Sequence, residues 1–300
     1  MPITSGSFAK ALWPGVNSWY GQAYNEHGVE CTDLFDTSKS RKAFEEDMGT
    51  SMFGLAAVKP EGASITYDSA QQGYLTRYTH VTYGLGFIIT REMVDDDLYD
   101  VIGKKRAQGL AFSMRQTKEL VAANVYNGAF GTTTVADGKF LLDTDHPNVA
   151  GGLWDNITTA ATLSEAALED LSILIMGAKN DRGLNIALMG ESLIIPPDLV
   201  FEADRILNSP LRVGTADNDL NALKNMGKFP GGVKVNHYLT DTNAYFIRTN
   251  CPDGMKHFQR RADDFTMDND FDTDNAKYKA TGRYSFGCTD PRGLYGNAGA

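Results

Sequence analysis

Three observations predict an α+β fold. A β-rich run, Tyr78 to Thr90, feeds directly into a helical stretch of unusual length, Arg91 to about Gly128. Ahead of it, Lys59 to Tyr74 is punctuated by Pro60, Gly62 and Gly73 in the manner of a hairpin arm. Shorter helix and strand patterns then alternate towards the C-terminus. A protruding arm followed by a very long helix is a poor start for a compact enzyme. It suits a subunit that reaches over its neighbours.

Taken in order, the first 51 residues show weak periodicity, with Trp13, Trp19, Tyr20 and Tyr24 scattered among polar residues. Aromatics without a regular period suit an arm lying on another surface, or an irregular lobe on its own domain. Ser38 to Met48 is compatible with a short helix, because Lys42 precedes Glu45 and Glu46 by three and four residues. Ser64 to Asp68 has strand character, and its hairpin partner returns through Tyr74 to Thr90. Thr90 can cap the long helix, and Asp95, Asp96 and Asp97 load its first turns, where the helix dipole favours negative charge. Val94, Leu98 and Val101 share one face, while Leu110, Met114, Val121 and Val125 share a roughly opposite one. The phase changes between Gly103 and Gly109, which predicts a bend or a change of packing partner there, or two helices joined at those glycines. Lys104, Arg115 and Lys118 form a third, basic side, expected to face acidic side chains. One unbroken helix of this length would span roughly 57 Å.

Residues 130–156 read as loop and short strand. Thr162 with Glu165 predicts a capping box for a helix over Leu163 to Asp181, burying Leu168, Leu171, Ile175 and Ala178. A strand over Ala187 to Ile195 stops at Pro196-Pro197, and a helix follows over Asp198 to Leu207. Lys234 to Tyr238, Ala244 to Arg248 and Lys277 to Phe286 read as strands. The tail, GCTDPRGLYGNAGA, is Gly-rich and expected to be only partly ordered.

Composition narrows the function. The chain has 300 residues, 42% of them hydrophobic, enough for one large domain or two ordinary ones. A formal charge of −10 argues against a general nucleic-acid binder, which needs a dominant basic face. It does not argue against a wall that encloses nucleic acid without gripping it. No apolar run has the length of a membrane-spanning helix, and the N-terminal residues do not form a secretory signal. Cys31, Cys251 and Cys288 are far apart and lack CxxC spacing, so they read as small buried hydrophobes in a reducing compartment.

Two clusters resemble ligand sets. Asp143, Asp145 and His146 could hold a divalent metal, but Pro147 makes the segment read as a turn. Asp268, Asp270, Asp272 and Asp274 alternate like half of a calcium loop. That loop fails at its strict positions, where Thr273 replaces the glycine and Lys279 the bidentate glutamate. A solvated acidic loop, or one facing basic groups on a neighbour, is expected. No phosphate-binding, dinucleotide or nucleophile-elbow motif occurs, so no catalytic residue and no cofactor is expected.

The ordered series EGASITYDSAQQGYLTRYTHVTYGLGFIITREMVDDDLYD, DGKFLLDTDHPNVAGG, ESLIIPPDLVFEADRIL, GGVKVNHYLTDTNAYFIRT and RYSFGCTDPRGLYGN resembles the Mu-like family of tailed-phage major capsid proteins. The resemblance runs from about Leu12 to Gly296 and rests on order and spacing. It implies the fold shared by tailed-phage capsids and encapsulins. An N-terminal arm would cover 1–53 and an extended loop (E-loop) 54–87. A peripheral domain would hold 88–150 and 259–300, with a spine helix at 91–128, and an axial domain 151–258. The acidic loop would fall near the tip of the peripheral domain. Contacts between subunits would involve Trp13, Trp19, Tyr20, Lys59, Tyr67, Tyr74, Asp268, Asp270 and Asp272. Lys59 is the only lysine of the implied E-loop. Some capsids of this fold cross-link through such a lysine, which also needs desolvation and a positioned carboxylate.

The implied function is a shell subunit forming hexamers and pentamers around packaged double-stranded DNA, without sequence-specific binding and without a membrane. A separate scaffolding protein, a portal and a cement or decoration protein are the expected partners, with assembly in the bacterial host cytoplasm. Two alternatives stand beside it: an encapsulin-like cellular compartment, and a metal-dependent hydrolase using Asp143, Asp145 and His146.

Overall fold

Two four-stranded sheets and one long helix organise the chain. The computed structural model describes residues 9–26, 28–51, 53–95, 103–211, 220–270 and 275–300, with backbone alone at 9–16, 94–95 and 269. In chain order the elements are α1 (Ala9–Glu26), α2 (Cys31–Leu34), β1 (Asp36–Lys39), β2 (Phe44–Thr50), β3 (Gln72–Thr79), β4 (Val81–Ile89), α3 (Arg91–Asp95) and α4 (Lys104–Asn127). Then come β5 (His146–Pro147), β6 (Leu153–Trp154), α5 (Glu165–Met176), β7 (Gly190–Ile195), α6 (Val200–Asn208), α7 (Ala222–Asn225), β8 (Val233–Val235) and β9 (Tyr245–Thr249). β10 (Met255–Asn269), β11 (Ala276–Cys288) and β12 (Leu294–Asn297) complete the chain.

The first sheet has the order β1-β10-β11-β4 and is dominated by the long antiparallel pair β10–β11. β11 alternates from Ala276 to Tyr284. Ala276, Tyr278, Ala280 and Tyr284 are buried, while Lys277 and Lys279 are exposed, as one face against a core and one against water requires. β4 closes on β11 through Gly84 and Gly86, and a Cβ at Gly86 would stand 2.6 Å from the Tyr278 carbonyl. The buried face packs on α1 and on the first half of α4 through Tyr20, Ala23, Ala107, Leu110, Ala111 and Met114. Each large side chain so buried contributes roughly 1.5–3 kcal/mol.

The second sheet has the order β12-β9-β7-β8. Leu193, Ile195, Tyr245 and Ile247 face a core made with α5 and α6, while Ile194 and Phe246 face a second core. Both faces are therefore covered, which is why these strands read as continuous apolar runs. The second core holds Leu34, Phe35, Ala122, Tyr126, Met255 and Leu294, and joins the two sheets through the second half of α4.

Several expectations need correction. Ser38 to Met48 is not helical. β1 pairs in parallel with β10 and β2 pairs with β3, so available strand partners outweigh a single local charge pairing. The hairpin is formed by β2 and β3, and residues 53–71 between them carry no strand, including Ser64 to Asp68. The N-terminal region holds the 18-residue α1 in place of an irregular arm. The helix predicted to begin behind Thr162 is capped by Ser164, which accepts from Ala167 N at 3.2 Å, and ends at Gly177. The acidic segment is strand through Asn269, and 271–274 lie outside the described residues.

The tail is the largest correction. Residues 294–297 form the buried edge strand β12 of the second sheet, so 259–300 does not belong wholly with the first. α4 also departs from expectation. It runs through Gly109 without interruption and buries Ala107, Leu110, Ala111, Met114, Lys118, Ala122 and Tyr126 along one side. Its packing partner changes between Met114 and Ala122, not at Gly103 to Gly109. The side chains of Val94, Leu98 and Val101 lie outside the described residues. On the basic side, Arg115 stacks on Tyr24 (4.2 Å) and Lys118 stands 5.6 Å over Tyr284, so rings, not carboxylates, take these cations.

Candidate assembly surfaces

The loop at 53–71 leaves the β2–β3 ribbon with its apolar side chains outward. Phe53, Leu55 and Ile65 are exposed, and Val58 and Tyr67 are exposed to 94% and 92%. So many apolar groups on one short excursion mark a contact surface. The loop is nevertheless closed at its base. Asp68 Oδ2 accepts from Gly54 N and Asp68 Oδ1 from Ser69 N, each at 2.8 Å, so one carboxylate ties the two ends together. Those two backbone donors, Gly54 foremost, hold its pKa below the usual carboxylate value. Arg182 Nη2 donates to Ser69 O at 2.5 Å and lies 3.7 Å from Asp68 Oδ1, which anchors the loop base to the segment after α5.

The expected contact residues separate into groups. Lys59, Tyr67 and Tyr74 are exposed on the loop and on β3. Tyr20 is buried within its own chain, stacked on Phe265 at 4.5 Å, because helical spacing turns it towards α4. It is corrected from an anchor on a neighbour to a core residue. Trp19 is half-buried beside it, and the Trp13 side chain lies outside the description. Asp268 is exposed opposite Lys277, Asp270 accepts from Lys277 Nζ at 2.6 Å, and Asp272 lies outside the described residues.

Asp143 and Asp145 adjoin, but with His146 they do not form one ligand set. His146 is buried, stacks on Trp154 at 4.7 Å, and holds Asp137 Oδ2 through Nδ1 at 2.7 Å. Asp145 accepts from Lys139 Nζ at 2.5 Å, and that hydrogen bond lowers its pKa. Among the described residues no group of three or more potential ligands gathers to hold a metal ion. No helix among them is long and apolar enough to cross a membrane. Cys31, Cys251 and Cys288 are free thiols, and burial pushes Cys31 up to about 12.

Arg182 and Asn156 escaped the sequence reading. Asn156 Nδ2 donates to Leu141 O at 2.8 Å and to Pro291 O and Leu294 O at 3.2 Å, while its Oδ1 accepts from Asp143 N at 2.9 Å. Partners this distant in sequence leave no local pattern.

This arrangement, two sheets joined by a long helix and a projecting loop, can be set beside known proteins. The family model for phage capsid proteins matches residues 73–297, three quarters of the chain. The chain belongs to the phage capsid protein family. No curated protein matches it. The solved capsid of a native GTA particle is similar with a TM-score of 0.56 and 12% identity, over 90% of this chain and 91% of that one. A virus-like particle from Pyrococcus furiosus gives 0.52 and 12%, over 94% and 97%. The procapsid of bacteriophage JBD30 gives 0.53 and 13%, over 98% and 76%. At such identities these likenesses establish the fold of the capsid protein. Family membership makes it a structural, non-enzymatic subunit of a virion shell that assembles with its own copies.

Proposed function

We propose that this capsid protein is the major subunit of an icosahedral tailed-phage head, tiling as hexamers and pentamers around double-stranded DNA. The exposed apolar loop at 53–71 carries the proposal: Leu55, Val58, Ile65 and Tyr67 project into solvent and would be buried on an adjacent subunit. The first sheet with α4 would serve as the peripheral domain and the second sheet with α5 and α6 as the axial domain. Trp19, Lys59, Tyr67, Tyr74, Asp268 and Asp270 would lie at or near subunit boundaries. A separate scaffolding protein, a portal and a decoration protein would complete a head of the Mu-like type, built in the host cytoplasm. The net charge of −10 would keep packaged DNA from adhering to the wall.

Electron microscopy of the expressed protein, with and without a candidate scaffolding protein, tests this. Closed shells, tubes or isolated hexamers and pentamers are expected. A product that stays monomeric under every condition would overturn it.

A further inference from the structure

Strand β10 carries opposite charges along its length. Arg260 and Arg261 lie near its middle, Asp263 and Asp264 follow just beyond a register irregularity, and Asp268 stands near its end. Neighbouring segments enlarge the basic stretch. Arg260 Nε donates to Lys42 O at 3.0 Å, and Arg283 Nη2 donates to Ala43 O at 3.4 Å. These bonds bring the turn after β1, with exposed Arg41, beside both arginines, while Lys42 is paired with Glu45 at 3.1 Å. Arg261 and Arg283 stand directly opposite each other on β10 and β11. Like charges in that position destabilise a sheet. Among the described residues, Arg260, Arg261 and Arg283 meet only carbonyls and the Thr281 hydroxyl, with no carboxylate in salt-bridge range. A like-charged pair held without a counter-ion is a surface that awaits an anionic partner.

The same chain contains a suitable partner. Residues 263–270 hold four aspartates and no lysine, and Asp264 and Asp268 are exposed. Adjacent basic and acidic stretches on one strand favour head-to-tail association of identical copies and penalise head-to-head contact. We infer that the basic patch centred on Arg41, Arg261 and Arg283 docks on the acidic stretch from Asp264 to Asp268 of β10 of a second copy and sets the direction in which copies associate. This rests on the shell reading. A carboxylate partner is favoured over nucleic acid because a chain of net charge −10 repels a polyanion, while its own acidic stretch is complementary. Exposed pairs of this kind give register and rate of association, and salt weakens them.

Complementation tests the inference. Arg41→Glu with Arg261→Glu removes the basic excess of one patch, and Asp264→Lys with Asp268→Lys removes the acidic excess of the other. Particle yield is measured by sedimentation and electron microscopy for each chain, for an equimolar mixture, and for an Arg41→Lys, Arg261→Lys control. Thermal melts establish that each chain is folded. If the double reversal does not fold, Arg41→Glu alone, in the exposed turn, replaces it. Each reversal should lower the yield about tenfold or more, the lysine control should keep it, and the mixture should recover most of it. Folded reversals that assemble at wild-type yield overturn the inference, as does a loss that mixing fails to restore. Reversals that assemble normally but lose bound double-stranded DNA would assign the surface to nucleic acid and overturn it too. A wild-type chain that stays monomeric under every condition overturns the shell reading and this inference with it. Wild-type particles with indifferent variants overturn this inference alone.

Discussion

His257, near the start of β10, lies flat on Phe286 with ring centroids 4.3 Å apart, and its Nδ1 is 3.1 Å from Thr37 Oγ1. Burial first, and then the Lys118 ammonium, lower its pKa from 6.5 to about 3. Below pH 6.5 the unfolded chain therefore takes up a proton that the folded chain refuses. Stability contributed by the neutral ring is full above that pH and is lost as pH falls towards 3. Unfolding free energies from urea titration should fall across this window, by about 3 kcal/mol from this group after allowing for partial solvation. His257→Phe keeps the ring packing and should flatten the fall, and an unchanged slope would remove His257 as its cause. Nothing local announced this histidine, because its environment comes from β1, β11 and α4. The same holds for Tyr20, whose place in the core depends on a helix that its neighbours' composition did not disclose.

Among the elements, β12 shows how far local reading reaches. Its glycines suggested an ill-ordered tail, yet it pairs with β9 and is held by Asn156, which accepts from Asp143 N and donates to Leu141 O and Leu294 O. Asn156→Ala would leave these buried groups without partners, at a cost of about 2–4 kcal/mol in chemical denaturation. It should also open the tail to limited proteolysis before global unfolding; a protected tail in a destabilised variant would contradict that link. α5 and the β7–β9 pair were legible, since their apolar residues carry a helical period or form uninterrupted runs. Residues 36–50 were not. Whether such a polar, half-exposed segment becomes strand depends on β10 and β3 lying alongside it.

At the scale of the molecule, the loop at 53–71 links the single chain to the shell. It spends apolar surface on solvent, ties its ends with Asp68, and leans its base on Arg182. Amide hydrogen exchange at residues 54–67 should be fast in the unassembled chain and slow at least about tenfold in particles, as covered backbone does. Equal exchange in both states would show that the loop is not buried by assembly. The α+β class, the long helix after the loop and its strands, and the capsid resemblance all came from pattern and motif order, because periodicity and punctuation are properties of short windows. The strand identity of 36–50, the buried tail, the single buried side of α4 and the separate partners of Asp145 and His146 were decided by tertiary contacts. Each depends on what residues distant in sequence bring to the same place: a strand edge, a core face, or a competing lysine or aspartate.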